Sequence, residues 1–294
     1  MTSASLTWGC ASLAFGPAMS LLFIVAYKKA QLIIVVTTAA FSFLLSALAA
    51  SLIWFLFDLA GIGSNAFIIL FPGVLFKLLF RCGFVALYHK VERVIQVSIR
   101  NHEEQATRRG EQVSDPAVSE SARLRLELND WACALDAGTG FGGMHAILLY
   151  GTLLASESAN LGTLYQPSCP GIPALVLSAV HAFLFTILDV LWMLLTFFGM
   201  RRRRRMGESS TLSSGGFGAM FGDEKAGGNR ALMFVLLSHF CATAATIPNN
   251  FKNGCHVSVP VLTAVTLVTG LVFWAGASGI YLPANQSRRA NHLD

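Results

Sequence analysis

The sequence predicts an all-α protein that crosses a membrane seven times, with its N-terminus on the lumenal or extracellular side and its C-terminus in the cytosol. Three observations predict it. The 294 residues are 54% hydrophobic and only 13% charged, where a soluble domain carries about 25% charged residues. Apolar segments of about 20 residues or more, each long enough to span a bilayer as a helix, recur along the chain. Lys and Arg fall almost wholly on alternate connections. The mean hydropathy of +0.59 and 22 Phe residues exclude a disordered chain and disfavour a soluble enzyme. Six Cys residues are too few for a disulfide scaffold.

The predicted spans cover 7–27, 31–57, 66–88, 132–155, 173–199, 231–248 and 257–283, each bounded by charge, Gly, Pro or Asn. Backbone amides in lipid must be satisfied within the segment, so the spans are helices. The alternating ten-residue pattern of barrel strands is absent. No charged region precedes the first apolar run, which therefore reads as a retained helix rather than a signal peptide.

With the N-terminus outside, eighteen of the 21 Lys and Arg residues lie on inner segments, Lys252 lies on an outer loop, and Lys77 and Arg81 lie within span three. This asymmetry is the positive-inside signal. It accounts for the basic pI of 9.0 without nucleic acid as a partner. Two inner loops are long. The segment 89–131 is charged and is expected to begin as a helical continuation of span three. The segment 201–230 opens with Arg201 to Arg205 and continues Gly/Ser-rich through 209–216, the composition of a flexible linker. The arginines fit a stop-transfer flank as well as a contact with anionic membrane lipid. All of these features belong to one seven-helix membrane domain, 1–294. The sequon Asn285–Ser287 falls on the inner side and is expected to stay unglycosylated. Cys169 and Cys255 fall on two outer loops, facing an oxidising compartment where a disulfide between them is possible.

Ionisable groups inside a membrane are costly, and they are functional candidates for that reason. Here they are Lys77, Arg81, Asp136, His145, His181, Asp189 and His239. Asp189 is expected to pair with Arg81 or with Lys77, unless Arg81 snorkels inward and Asp189 faces a wet cavity. Gly138, Gly142 and Ala146 repeat at four-residue spacing in span four, a small-residue stripe that lets helix backbones approach closely. The stripe suits packing inside this chain as well as a partner helix.

Motifs of catalysis are missing. An intramembrane aspartyl protease needs two carboxylates sharing a proton. Asp136 and Asp189 differ in depth, and neither stands in a Gly-x-Gly-Asp context. The histidines are scattered without a His-Glu-x-x-His pattern, and a lone membrane histidine is more often a hydrogen-bonded packing residue than a ligand. A Gly-x-Ser-x-Gly elbow and a phosphate-binding Gly-x-x-x-x-Gly-Lys loop are also absent. No catalytic residue, metal site or cofactor is predicted.

Several segments resemble the anterior-pharynx-defective (Aph) subunit of γ-secretase. They are Ala14-Phe15-Gly16-Pro17-Ala18 in span one, Phe43-Leu44-Leu45-Ser46 with Ala50-Ser51 and Trp54 in span two, and Arg81 with the Tyr88, Lys90, Glu92 exit of span three. Gly138, Gly142 and Ala146 fall on the family's extended Gly-x-x-x-Gly motif. Gly140-Phe141-Gly142-Gly143-Met144-His145-Ala146, Asn253-Gly254-Cys255 and Val259-Pro260 look like plant members. Ser238-His239, ahead of Asn249-Asn250, matches the family's span-six histidine.

The resemblance implies a non-catalytic scaffold that assembles with presenilin, nicastrin and the presenilin enhancer for regulated intramembrane proteolysis. The substrates would be of the kind processed in Notch signalling, in endoplasmic reticulum, Golgi, endosomal and plasma membranes. It also implies that the glycine face and the two membrane histidines serve assembly. This chain departs from the family in four places, one of them Ala146 at the third small position of the stripe. Asp189 stands at the span-five histidine position, with His181 two turns earlier as a partial substitute. Lys77-Leu78 replace a Gln-Glu pair in span three. The 201–230 loop is longer. The competing readings are a seven-helix receptor and a small-solute transporter. The receptor is disfavoured because Tyr88-His89-Lys90 stands where Asp-Arg-Tyr is expected and span seven lacks Asn-Pro-x-x-Tyr. The transporter is disfavoured because Pro72-Gly73 in span three has no repeat partner.

Overall fold

The computed structural model describes residues 4–26, 30–61, 66–108, 130–158, 164–204 and 224–281. Lys28 and Lys29, the remainder of the charged loop (109–129), Arg205 with the Gly/Ser stretch, and the sequon at 285–287 lie outside the described residues.

The architecture is helical. Helix α1 covers Ala4–Leu21 and ends in a π turn, Leu22–Ala26; α2 covers Ala30–Leu59 and α3 covers Ala66–Arg108. Helix α4 covers Asp130–Ala146 and continues through a π turn, Ile147–Gly151, into Thr152–Ser158. Helix α5 covers Ala174–Arg204, α6 covers Glu224–Ala244, and α7 covers Cys255–Tyr281. Pro17, Pro72 and Pro260 sit inside helices, which membrane helices tolerate because neighbouring groups satisfy the freed carbonyl.

Six of these helices are individually long and apolar enough to cross a bilayer; α4 is not among them. Its regular α-helical stretch is 17 residues, DWACALDAGTGFGGMHA, and Asp136, His145 and four glycines dilute its apolar character. The seventh crossing expected at 132–155 is therefore present as a helix but lacks an independent apolar signature.

The helical continuation expected after span three is present, with α3 running 43 residues to Arg108 without a break. One expected boundary is corrected. Arg201 to Arg204, assigned to the loop 201–230, form the last turn of α5. Cations are favoured at a helix C-terminus, where unpaired carbonyls carry partial negative charge. Arg201 also reaches Glu92 of α3 at 3.7 Å.

Helix α5 is the hub and packs against α1, α3, α4, α6 and α7, while α4 is wedged between α2 and α5. Three clusters radiate from α5. Met193 and Phe197 meet Phe43 of α2, Phe84 of α3 and Phe141 of α4. Leu188, Trp192 and Leu195 meet Val235 of α6 and Leu262 of α7. Leu175 and Ala179 meet Cys10 and Ala14 of α1 and Tyr150 beyond α4.

A small hairpin precedes α5, where the sequence predicts only a loop. β1 (Tyr165–Gln166) pairs antiparallel with β2 (Cys169–Pro173). The strands are too short and too rich in Pro (Pro167, Pro170, Pro173) to register as a periodic pattern. The hairpin is tied to the start of α7. The Cys255 amide donates to the Ser168 carbonyl at 3.1 Å and the Asn253 amide to the Pro167 carbonyl at 3.2 Å. A disulfide joins Cys169 to Cys255, with Cα atoms 5.6 Å apart. The turn into α7 places Asn253 at φ 62°, a conformation Asn tolerates better than most residues. At Gly254 a Cβ would collide with the Pro248 carbonyl.

Candidate functional site

The site begins with the glycines of α4. A Cβ on Gly138 would stand 2.7 Å from the Val190 Cα, and one on Gly142 would stand 2.9 Å from the Thr186 carbonyl oxygen, both on α5. Gly140 faces the other way. Its Cβ would collide with the Val36 carbonyl and lie 3.1 Å from the Ala39 Cβ of α2. Gly143 faces Ala18 of α1 at an ordinary 3.5 Å. Ala146, the third position of the stripe, is fully buried in the cluster with Cys10, Ala14 and Ala179. The Gly138 and Gly142 face is therefore occupied by α5 of the same chain. The Thr186 hydroxyl spans the contact, within 3.2 Å of the Gly142 carbonyl and 2.8 Å of the Ala182 carbonyl.

That close approach lets one side chain of α4 reach the middle of α5. His145 Nδ1 lies 2.7 Å from Asp189 Oδ2. The other carboxylate oxygen, Oδ1, forms an ion pair with Arg81 of α3, and neither partner is exposed. Lys77, one turn before Arg81, places its Nζ 3.3 Å from His145 Nε2. An ammonium only donates hydrogen bonds. His145 Nε2 therefore accepts from Lys77, and Nδ1 carries the ring proton toward Asp189. The connected set runs Arg81, Asp189, His145, Lys77 and joins three helices.

Aromatic rings complete the surroundings. The Arg81 guanidinium lies 5.2 Å from the Phe141 ring centroid and 5.3 Å from that of Trp192. Its Nε and Nη1 have no protein hydrogen-bond partner, so ring faces rather than acceptors meet that side of the cation. Lys77 Nζ lies 5.0 Å from the Phe43 ring centroid. Trp192 donates through Nε1–H to the Ser238 hydroxyl at 2.8 Å and stacks on His239 with ring centroids 4.2 Å apart. His239 thus meets the charge network through Trp192.

His181 belongs to a second network nearer the hairpin. Its Nδ1 donates to the Leu177 carbonyl at 2.8 Å. Nε2, left as an acceptor, takes the Ser258 hydroxyl at 3.1 Å and Asn249 Nδ2 at 3.2 Å. The histidine beside Asp189 is His145 of α4. It stands among the sequence's intramembrane polar residues but is not singled out there. The available signal was its place one turn beyond Gly142, on the part of α4 that the glycines bring close to α5.

A cavity of about 370 Å³ lies between the two networks. Lys77 and His145 border one end, and His181, Asn249 and the exposed Gln166 border the hairpin end. Among the described residues no cluster of three His, Cys, Asp or Glu side chains is placed to hold a metal.

The family model for the Aph-1 protein matches residues 5–279. The chain belongs to the Aph-1 family. A curated relative from Arabidopsis thaliana, the "Gamma-secretase subunit APH1-like" protein, is 24% identical over 264 residues, covering 89% of this chain and 88% of the relative. The match to the Aph-1 model takes in the glycine stripe, the four-residue charge network, both histidine networks and the disulfide. In this Aph-1 chain the network therefore sits inside the region that defines the family.

Proposed function

We propose that this chain is a non-catalytic scaffold subunit of γ-secretase, assembling presenilin with nicastrin and the presenilin enhancer in internal and plasma membranes. The carrying observation is the family match across residues 5–279, which takes in every helix from α1 to α7. A relative named as a γ-secretase subunit supports the same complex. A non-catalytic role is supported by the state of Asp189. Aspartyl chemistry needs two carboxylates sharing a proton, whereas the oxygens of Asp189 are engaged by Arg81 and His145.

The glycine face serves assembly indirectly in this reading. It locks α4 to α5 and α2, and the outer surfaces of those helices then present a fixed shape to partners. In this reading the hairpin end faces the lumen. The arginine-rich end of α5 belongs on the cytosolic side by the positive-inside rule, and the disulfide suits an oxidising compartment.

A pull-down of the tagged full-length chain from native membranes in mild detergent tests this reading. Presenilin and nicastrin homologues are expected together in the eluate. A monodisperse chain recovered without either one overturns the proposal.

A further inference from the structure

The charge network is not neutral. Arg81 and Lys77 bring two cations, Asp189 brings one carboxylate, and His145 is uncharged in the hydrogen-bonding arrangement the geometry requires. Arg81 and Asp189 are fully buried and balance each other. The surplus positive charge therefore resides on Lys77, at the inner end of the cavity. A cation held within a membrane span without a counter-charge is costly, and the cavity is the space from which a counter-charge can reach it.

At the other end of the cavity His181 and Asn249 are engaged with each other, Asn249 Nδ2 lying 3.2 Å from His181 Nε2. Between the two ends the walls carry Leu149, Leu153, Leu177 and Phe185 beside the smaller Ser178, Thr243 and Thr246. His181 and Asp189 mark the ends along α5, eight residues apart, which is about 12 Å at 1.5 Å per residue.

We propose that this cavity binds an acyl carboxylate: an anionic group pairs with Lys77, and an apolar chain lies along Leu149, Leu153, Leu177 and Phe185 toward the hairpin end. The volume of about 370 Å³ lies within the ordinary range of small-molecule sites. This site is independent of the assembly role and stands or falls without it.

The test uses the full-length protein in lipid nanodiscs, with carboxyl-labelled octanoate as the probe followed by carbon NMR. Octanoate is expected to bind saturably. Lys77→Met should weaken it at least tenfold, while Lys77→Arg retains binding. Thr243→Phe fills the cavity without altering any charge and should abolish binding, which keeps the test decisive if Lys77→Met folds poorly. Uptake that does not saturate, binding unchanged in both Lys77→Met and Thr243→Phe, or displacement by chloride at concentrations as low as those of octanoate itself would overturn the proposal.

Discussion

Helices α2 and α4 lie side by side and follow opposite rules. α2 is an unbroken apolar run, and only 22% of its most apolar stretch is buried within the protein. Ile34, Phe41 and Leu48 are each at least 60% exposed. α4 is interrupted by glycines, an aspartate and a histidine, yet Ala134, Ala137 and Phe141 are completely buried. In water the apolar helix would be the core. In a bilayer the lipid is as apolar as leucine, so burying more leucine drives nothing. Close backbone contact and polar pairing hold the centre instead. The helix interrupted by glycines and ionisable side chains is therefore the one around which α1, α2 and α5 gather.

The largest test of this contrast is Asp189. Replacing it with Leu leaves Arg81 buried without its counter-ion, a change that costs about 3–5 kcal/mol for buried pairs. The expected result is loss of folded protein in detergent, read by size-exclusion yield and melting temperature. Arg81→Met combined with Asp189→Leu should recover much of the loss, because removing both partners leaves no stranded charge. Failure of the double variant to recover would mean that His145 and Lys77 depend on the carboxylate more than Arg81 does.

The glycines come next. Gly138→Leu and Gly142→Leu must push α4 from α5, where even a single Cβ would lie within 3 Å of backbone atoms. Overpacking of this kind costs about 1–3 kcal/mol. Gly83 of α3 sharpens the comparison, because nothing lies within 4 Å of its missing Cβ. Gly83→Ala is expected to be neutral or to stabilise by about 0.5–1 kcal/mol, the usual helix preference of Ala over Gly. Equal losses at Gly83 and Gly138 would remove the distinction between an intimate face and an open one.

Smaller again is the disulfide. Cys169→Ser with Cys255→Ser should lower the melting temperature modestly. Hydrogen exchange should rise at the Asn253 and Cys255 amides, which donate to the Pro167 and Ser168 carbonyls of the hairpin. The smallest effects belong to the outer face of α2. Leu48→Ala and Phe41→Ala should each change stability by less than about 0.5 kcal/mol. A loss of several kcal/mol there would mean that α2 is covered by protein rather than lipid.

The pattern of what the sequence discloses follows the same physics. Long apolar runs and the placement of Lys and Arg are one-dimensional signals, and they mark α1, α2, α3, α5, α6 and α7 directly. α4 is readable as a span, but its central position is not, because nothing in a glycine count says which helices come close. Asp189 needs a base wherever it lies, and the sequence leaves Arg81 and Lys77 equal, because depth along a helix does not fix direction around it. The third partner, His145, depends on the α4–α5 contact and becomes visible only when that contact is drawn. The hairpin escapes because two short, proline-rich strands carry no period.

Cys169 lies before α5 and Cys255 after α6, and the bond between them encloses both crossings. Two sulfurs can meet only on the same side of a membrane, and an even number of traversals is what returns the chain to that side. The bond also cannot close until α6 has left the ribosome and crossed. It therefore acts as a timestamp on biosynthesis: a chain carrying it has threaded α5 and α6 in opposite senses, and a chain stalled or inverted at either helix keeps two free thiols that a maleimide would label.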